Sequence, residues 1–296
     1  MKVNIRGDGM KILAFGEVLW DVYPDKAYIG GAPFNFAAHL AKHGEEVYML
    51  SAFGEDDLGR DAVAVLNQLN VSSKYCAVLK DKETGKCLVS LDEKDVPSYN
   101  LLSDVAYDHI NCDSDFSNFD LLYFGTLALR SEVNFASLKK LIAENSFKDV
   151  FVDVNIRKPH FSKETVTFAA ENATIIKISD EELCVVAELL GIGETDYKLF
   201  AKALSQKYSN LKIVIITLGS KGAYAYKTEG DKEFSCPAVS VQTASTVGAG
   251  DSFSAAFVHK LYSGADLENC LKYASKLAAF VVSKVDAVPE YSPSNI

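Results

Sequence analysis

The chain reads as an α/β fold: a mostly parallel central sheet with helices on both faces, plus a small β lid. Three observations predict it. From Asp120 onward, short apolar runs alternate with amphipathic stretches, the pattern of strand–helix units whose sheet is covered on both sides. Lys86 to Asp92 alternates differently, with Val89 and Leu91 on one side and Ser90 and Asp92 on the other, as in an exposed strand. Gly248-Ala249-Gly250-Asp251 then runs into a small-residue apolar helix. Bare backbone at a helix start, with its unpaired N–H groups and positive dipole end, suits a phosphoryl group.

Composition bounds the rest. The 296 residues fit one large domain, and with 48% apolar residues a sizeable core is available. We expect a single domain over residues 10–296, with a lid drawn from about 22–30 and 82–102. A net charge of −10 should repel nucleic acid and anionic membranes, so neither is expected as a partner. No apolar run approaches the roughly 18 residues of a membrane span, and Met1 to Gly9 lacks the apolar segment of a signal peptide. Residues 1–9 read as a loose tail, or translation begins at Met10. The six scattered cysteines, with no CxxC pair, read as reduced, mostly buried thiols of a cytoplasmic protein. The five histidines have no metal-ligand spacing.

Taken in order, Lys11 to Gly16 is the first buried strand. Asp21 follows it, where a parallel strand would deliver a carboxylate to the ligand edge, although a lone Asp there is commonly a turn residue. Gly30-Gly31-Ala32-Pro33-Phe34-Asn35 opens a helix to about His43, with Pro33 in the first turn and Asn35 offering a donor and an acceptor to a hydroxyl. Glu46 to Phe53 is a strand, and the acids after Gly54 start a helix through Leu69. Later strands are expected at Asp120–Phe124, Asp149–Val154, Thr174–Ile178, Lys212–Thr217 and Ala223–Lys227. The intervening helices are Glu132–Asn145, Lys163–Glu171, Asp180–Leu190 and Thr195–Tyr208, with a last helix at Leu267–Lys284.

Candidate chemistry gathers at the strand ends, where such sheets bind ligands. If the chain stays extended, Asp153, Asn155 and Arg157 point to one side and could hold a hydroxyl, metal-bound water or phosphate; a structural salt-bridge corner weighs equally for Asp153. Ser179 to Glu182 reads as a helix cap with first-turn acids. Thr217, Gly219 and Gly222 end a strand in a glycine loop that could wrap nucleotide phosphate and ribose, or simply turn the chain. Neither a Walker A sequence nor GxGxxG is present. Asp251, beside the phosphate hole, is placed to accept a proton from an alcohol; the plainer reading is a helix acid.

These motifs resemble the ribokinase/PfkB family of sugar kinases, in a fructokinase-like form, over Met10 to about Pro289. Gly30-Gly31-Ala32-Pro33-Phe34-Asn35 is similar to its first signature, and Thr246 to Asp251 to its second. The resemblance implies a ribokinase-like fold and ATP-dependent phosphorylation of a sugar hydroxyl, most of all fructose. It implies Asp251 as base, Gly248, Ala249 and Gly250 as anion hole, and Asp21, Gly30, Gly31, Asn35 and Arg157 as sugar- and phosphate-side residues. Thr217, Gly219 and Gly222 then match the nucleotide loop, and Glu182 the acid linked to Mg²⁺. Ser245 stands where relatives carry the Asp that helps hold a monovalent cation, so weak dependence on potassium is expected. Kinases for 2-keto-3-deoxygluconate, ribose or a nucleoside, and a non-catalytic sugar- or nucleotide-binding relative, are the alternatives. Lids of the family often pair between subunits, which implies a homodimer.

Overall fold

The computed structural model describes residues 10–91 and 97–296. Residues 1–9, and residues 92–96 within the expected lid segment 82–102, lie outside them.

The first third holds β1 (Lys11–Phe15), β2 (Leu19–Val22), β3 (Ala27–Gly30), α1 (Ala32–Lys42), β4 (Glu46–Leu50), β5 (Ala52–Gly54), α2 (Asp57–Gln68), β6 (Ala77–Leu79), β7 (Gly85–Leu91) and β8 (Pro97–Leu101). The middle runs through β9 (Leu121–Gly125), α3 (Glu132–Glu144), β10 (Asp149–Asp153), α4 (Lys163–Asn172), β11 (Ile175–Ser179), α5 (Asp180–Leu190) and α6 (Tyr197–Lys207). The last part comprises β12 (Ile213–Thr217), β13 (Ala223–Lys227), β14 (Lys232–Cys236), α7 (Ala249–Tyr262) and α8 (Leu267–Val282). None of the described helices is long and apolar enough to cross a membrane.

The main sheet has eight strands in the order β14-β13-β12-β11-β10-β9-β1-β4. From β4 to β12 neighbours are parallel, and β13 and β14 close the far edge antiparallel. The strand from Glu46 was expected to continue to Phe53. It leaves the main sheet at Leu50, and β5 pairs with β6 instead. The interior strands are apolar because both faces are covered. Leu138, Val166, Leu183 and Phe200 of α3 to α6 pack on one face. Phe34, Leu66, Phe257 and Leu271 of α1, α2, α7 and α8 pack on the other.

The lid is a separate sheet, ordered β3-β2-β7-β8, and it begins earlier than expected, at Leu19. It is anchored to the body through its two central strands. Trp20 Nε1–H donates to Leu58 O (3.0 Å), and Asp56, the N-cap of α2, also accepts from Thr84 N–H (2.8 Å) and Oγ1–H (2.6 Å) just before β7. The acids before α2 were read as a solvated helix start, and Asp56 is more than that.

Candidate active site

α7 begins where the sequence placed it. Gly248 is its N-cap, with φ 78°, a left-handed conformation that glycine takes without steric cost. A Cβ there would fall 2.8 Å from Ala287 Cα and O, so the C-terminal loop needs a glycine at this position. Of the three expected donors, Ala249 already gives its N–H to Thr246 O (3.3 Å). Gly248 and Gly250 have no acceptor for theirs among the described residues. Two free N–H groups at the positive end of a 14-residue helix could receive an anionic oxygen.

Asp251, in the first turn, is partly accessible. Its Oδ2 accepts a hydrogen bond from Asn35 Nδ2 (2.7 Å). That single bond joins α1, which follows the Gly30-Gly31 turn, to α7. Burial pushes the Asp251 carboxyl up to about 6, Asp153 adds to the rise, and Asn35, Lys177 and Arg157 act against it. A carboxylate in that range is ionised at neutral pH, yet takes a proton more readily than an exposed Asp.

The residues expected on the sugar side sit around the same point. Gly31 has φ 110°, and a Cβ on it would lie 2.4 Å from Glu17 O. Glu17 was not anticipated. Its Oε1 accepts from Ala32 N–H (3.3 Å) at the start of α1, and its buried Oε2 has no partner among the described residues. Burial raises this carboxyl to about 7. Asp21 is not at the edge of the main sheet, as expected, but within lid strand β2, opposite Tyr28 and beside Cys87. The chain turns after Phe15 and re-extends at Leu19, where β2 pairs with the distant β7, so the lid supplies this carboxylate. Burial raises Asp21 above the usual Asp range, while the Cys87 thiol and Arg157 oppose the rise. A Cβ on Gly30 would come within 3.2 Å of Asp21 Oδ2, so those two residues face each other.

The extended Asp153-Asn155-Arg157 row does not form. Asn155 takes φ 43°, a left-handed conformation that Asn tolerates, and this breaks the alternation. Asp153 is buried and accepts from Lys177 Nζ (2.7 Å) and Ser254 Oγ (3.1 Å), whereas Arg157 is exposed and acts on Asp21, Glu17 and Asp251 through its field. Glu182 braces this corner. Its Oε2 accepts from Ser179 N–H (2.9 Å) and Oγ–H (2.6 Å), and its Oε1 from Ile156 N–H. In the next strand, Thr217 pairs with Ser179, so the glycine loop leaves the sheet beside Glu182. Gly219 (φ 54°) is exposed, and Gly222 packs against the chain after β14, where a Cβ would meet Cys236 O.

Residues 11–294 match the model of the pfkB family carbohydrate kinases. The chain belongs to that family. Fructokinase-2 of Zea mays is 26% identical, over 94% of this chain and 90% of its own length. The 5-dehydro-2-deoxygluconokinase of Bacillus licheniformis is 30% identical over 87% of this chain and 81% of its own. Among solved structures, an uncharacterized sugar kinase from Pyrococcus horikoshii in complex with ATP is similar, with a TM-score of 0.82, 25% identity and 96% of each chain covered. The protein is therefore a sugar kinase with a ribokinase-like fold, a phosphotransferase acting on a sugar hydroxyl.

In this kinase the N–H groups, the carboxylate and the Asn35 bridge lie within one compact region at the sheet's C-terminal edge. Sequence reasoning missed Lys177 and Glu17 there. Lys177 had a signal, since it is a charge within the apolar run Ile175-Ile176-Lys177-Ile178 of a doubly covered strand. Glu17 looked like an ordinary residue of the turn after β1.

Proposed function

We propose that the protein is an ATP-dependent fructokinase. The observation that carries the reading is Asp251, hydrogen-bonded to Asn35 and next to the free N–H groups of Gly248 and Gly250. Fructose lies between the lid and α1, held by Asp21, Gly30, Gly31 and Asn35. Its hydroxyl oxygen attacks the γ-phosphorus of ATP as Asp251 takes the hydroxyl proton. The bond from that phosphorus to the β,γ-bridging oxygen breaks, and ADP leaves. Gly248, Gly250 and, through its field, Arg157 stabilise the charge gathered on the transferred group. Ala249 supports the turn rather than donating to the phosphate. Thr217, Gly219 and Gly222 hold the nucleotide beside α5. A non-catalytic binder would have no use for a carboxylate so placed.

Mg²⁺ would neutralise charge on the nucleotide phosphates. Among the described residues no group of three or more His, Cys, Asp or Glu is gathered to cage a metal. Glu182 has three of its four lone-pair positions filled by protein donors. It fits as an acceptor for metal-bound water, not as a direct ligand. Ser245 Oγ accepts the Val247 N–H (3.2 Å), and its hydroxyl brings no charge for a monovalent cation. Turnover is expected to be alike in potassium and in a bulky organic cation at matched ionic strength; strong activation by potassium would show that other groups build a cation site.

Fructose is supported by the Gly30-Gly31-Ala32-Pro33 turn and by the fructokinase relative. A sugar-acid substrate is the second reading, favoured by the Bacillus relative and by the exposed guanidinium of Arg157, which could pair with a carboxylate. ADP release is to be measured with fructose, ribose, 2-keto-3-deoxygluconate, 5-dehydro-2-deoxygluconate and adenosine. Fructose is expected to give the highest kcat/KM, and a clear preference for any other compound rejects the assignment.

The lid leaves Tyr28, Leu88 and Tyr99 exposed, which suits lid-to-lid pairing of two copies. Light scattering is expected to give twice the mass of the chain. A monomer at micromolar concentration excludes this pairing as a stable state.

A further inference from the structure

Lys177 sits in the middle of the sheet, in β11, and its ammonium is almost wholly enclosed. Its Nζ donates to Asp153 Oδ2 at 2.7 Å, from directly across the β10–β11 ladder. The hydroxyl of Ser254, one turn into α7, turns its hydrogen between the same Oδ2 (3.1 Å) and Gly250 O (3.0 Å). A Cβ on Gly250 would stand 3.2 Å from Lys177 Nζ. The ammonium thus lies directly against the turn whose N–H groups face the substrate side. An added Cβ on Gly250 would crowd the ammonium, and its φ is not positive, so the glycine provides room rather than an unusual torsion.

A buried ion pair is a weak way to stabilise a fold, because desolvating two charges offsets most of their attraction. An apolar pair would serve β10 and β11 at least as well. The location is what a purely structural pair leaves unexplained. We infer that the Lys177–Asp153 pair is a positioning and charge-setting device for phosphoryl transfer. Lys177 braces the Gly250 turn and places a positive charge behind it, while Asp153 holds both Lys177 and Ser254. This rests on Asp251 being the base.

The electrostatics agree. Burial opposes the Lys177 charge, but Asp153, and then Glu182 and Asp251, hold it protonated. Asp251 is faced by Asp153 from β10, Lys177 from β11, Arg157 after β10 and Asn35 from α1. Its field also reaches Glu17 after β1 and Tyr123 of β9. Asp153 and Lys177 therefore act on the base in opposite senses.

Three variants test the inference: Lys177→Met, Asp153→Asn, and the two combined. The double variant leaves no lone buried charge, so it is expected to melt cooperatively. Its kcat should fall about 10–100-fold, in the manner of a lost preorganised electrostatic group, with the KM for sugar changed less than about threefold. Each single variant strands one buried group, which sheds its charge: Asp153 takes a proton in Lys177→Met, and Lys177 gives one up in Asp153→Asn. In all three variants the positive charge behind the Gly250 turn is lost, so kcat should fall by a similar factor. A merely structural pair would lower the melting temperature and leave kcat near that of the parent. A folded double variant with kcat within about twofold of the parent overturns the inference. So does a folded single variant whose kcat stays within about twofold of the parent. If neither single variant folds, the double variant's split between kcat and KM decides. Asp251→Asn is run alongside: if it retains turnover, the base assignment fails, and that result is separate from the behaviour of the pair.

Discussion

Asp251→Asn is expected to lower kcat by about 10²–10⁴-fold, the usual contribution of a general base. Asn keeps the shape and an oxygen for Asn35 Nδ2, which now bonds Asp251 Oδ2 at 2.7 Å. The bridge between α1 and α7 survives, and calorimetric affinity for fructose should stay within about threefold. What disappears is the acceptor for the hydroxyl proton. The pH profile gives a second signature. As the proposed base Asp251 must be ionised to work, and burial raises it to about 6. The parent enzyme therefore loses kcat/KM as pH falls through about 6, by about tenfold per unit further down. In Asp251→Asn that limb is absent. Near-normal turnover in a folded variant would leave Asp251 as a helix acid and nothing more.

Gly31→Ala is expected to raise the KM for fructose about 5–150-fold. Two effects act together. The φ of 110° is one that L side chains rarely adopt, and the new Cβ would stand 2.4 Å from Glu17 O. Strain of this kind costs about 1–3 kcal/mol, which sets the range of fold-changes. The chain must shift to relieve it, and α1 with Asn35 begins at the next residue. In the proposed reading the turn and Asn35 hold the sugar, so the loss should fall on binding first, and kcat at saturating sugar should drop less. Steady-state kinetics with a thermal melt to confirm folding decide it. An unchanged KM would mean that the turn does not touch the substrate.

What the sequence disclosed follows from what forces a local choice. The Gly30-Gly31 turn, the Gly248 cap and the apolar strands were legible because bare backbone and doubly covered strands each allow few residue types. Asp21 was found as a residue but misplaced. Nothing in Glu17 to Asp21 tells a main-sheet edge from the first strand of a lid, and that is decided by its long-range pairing with β7. The Asp153 row failed at one torsion, that of Asn155, since period-two reasoning holds only while the backbone stays extended. β14 was overlooked because Lys232–Cys236 is polar for most of its length. Gly230 and Asp231, both at positive φ, were the available hairpin sign.

The Asn35–Asp251 hydrogen bond spans 216 residues of chain. During synthesis the sugar-side half of the machinery leaves the ribosome long before the phosphate-side half exists. At about 5–20 residues per second that interval is about 10–40 s. A nascent chain can already present the Gly30-Gly31 turn, but its Asn35 has no Asp251 to bond. With Asp251 as the proposed base, transfer of a phosphoryl group is withheld until nearly the whole polypeptide is made, and a product truncated anywhere before α7 is expected to be inert as a kinase.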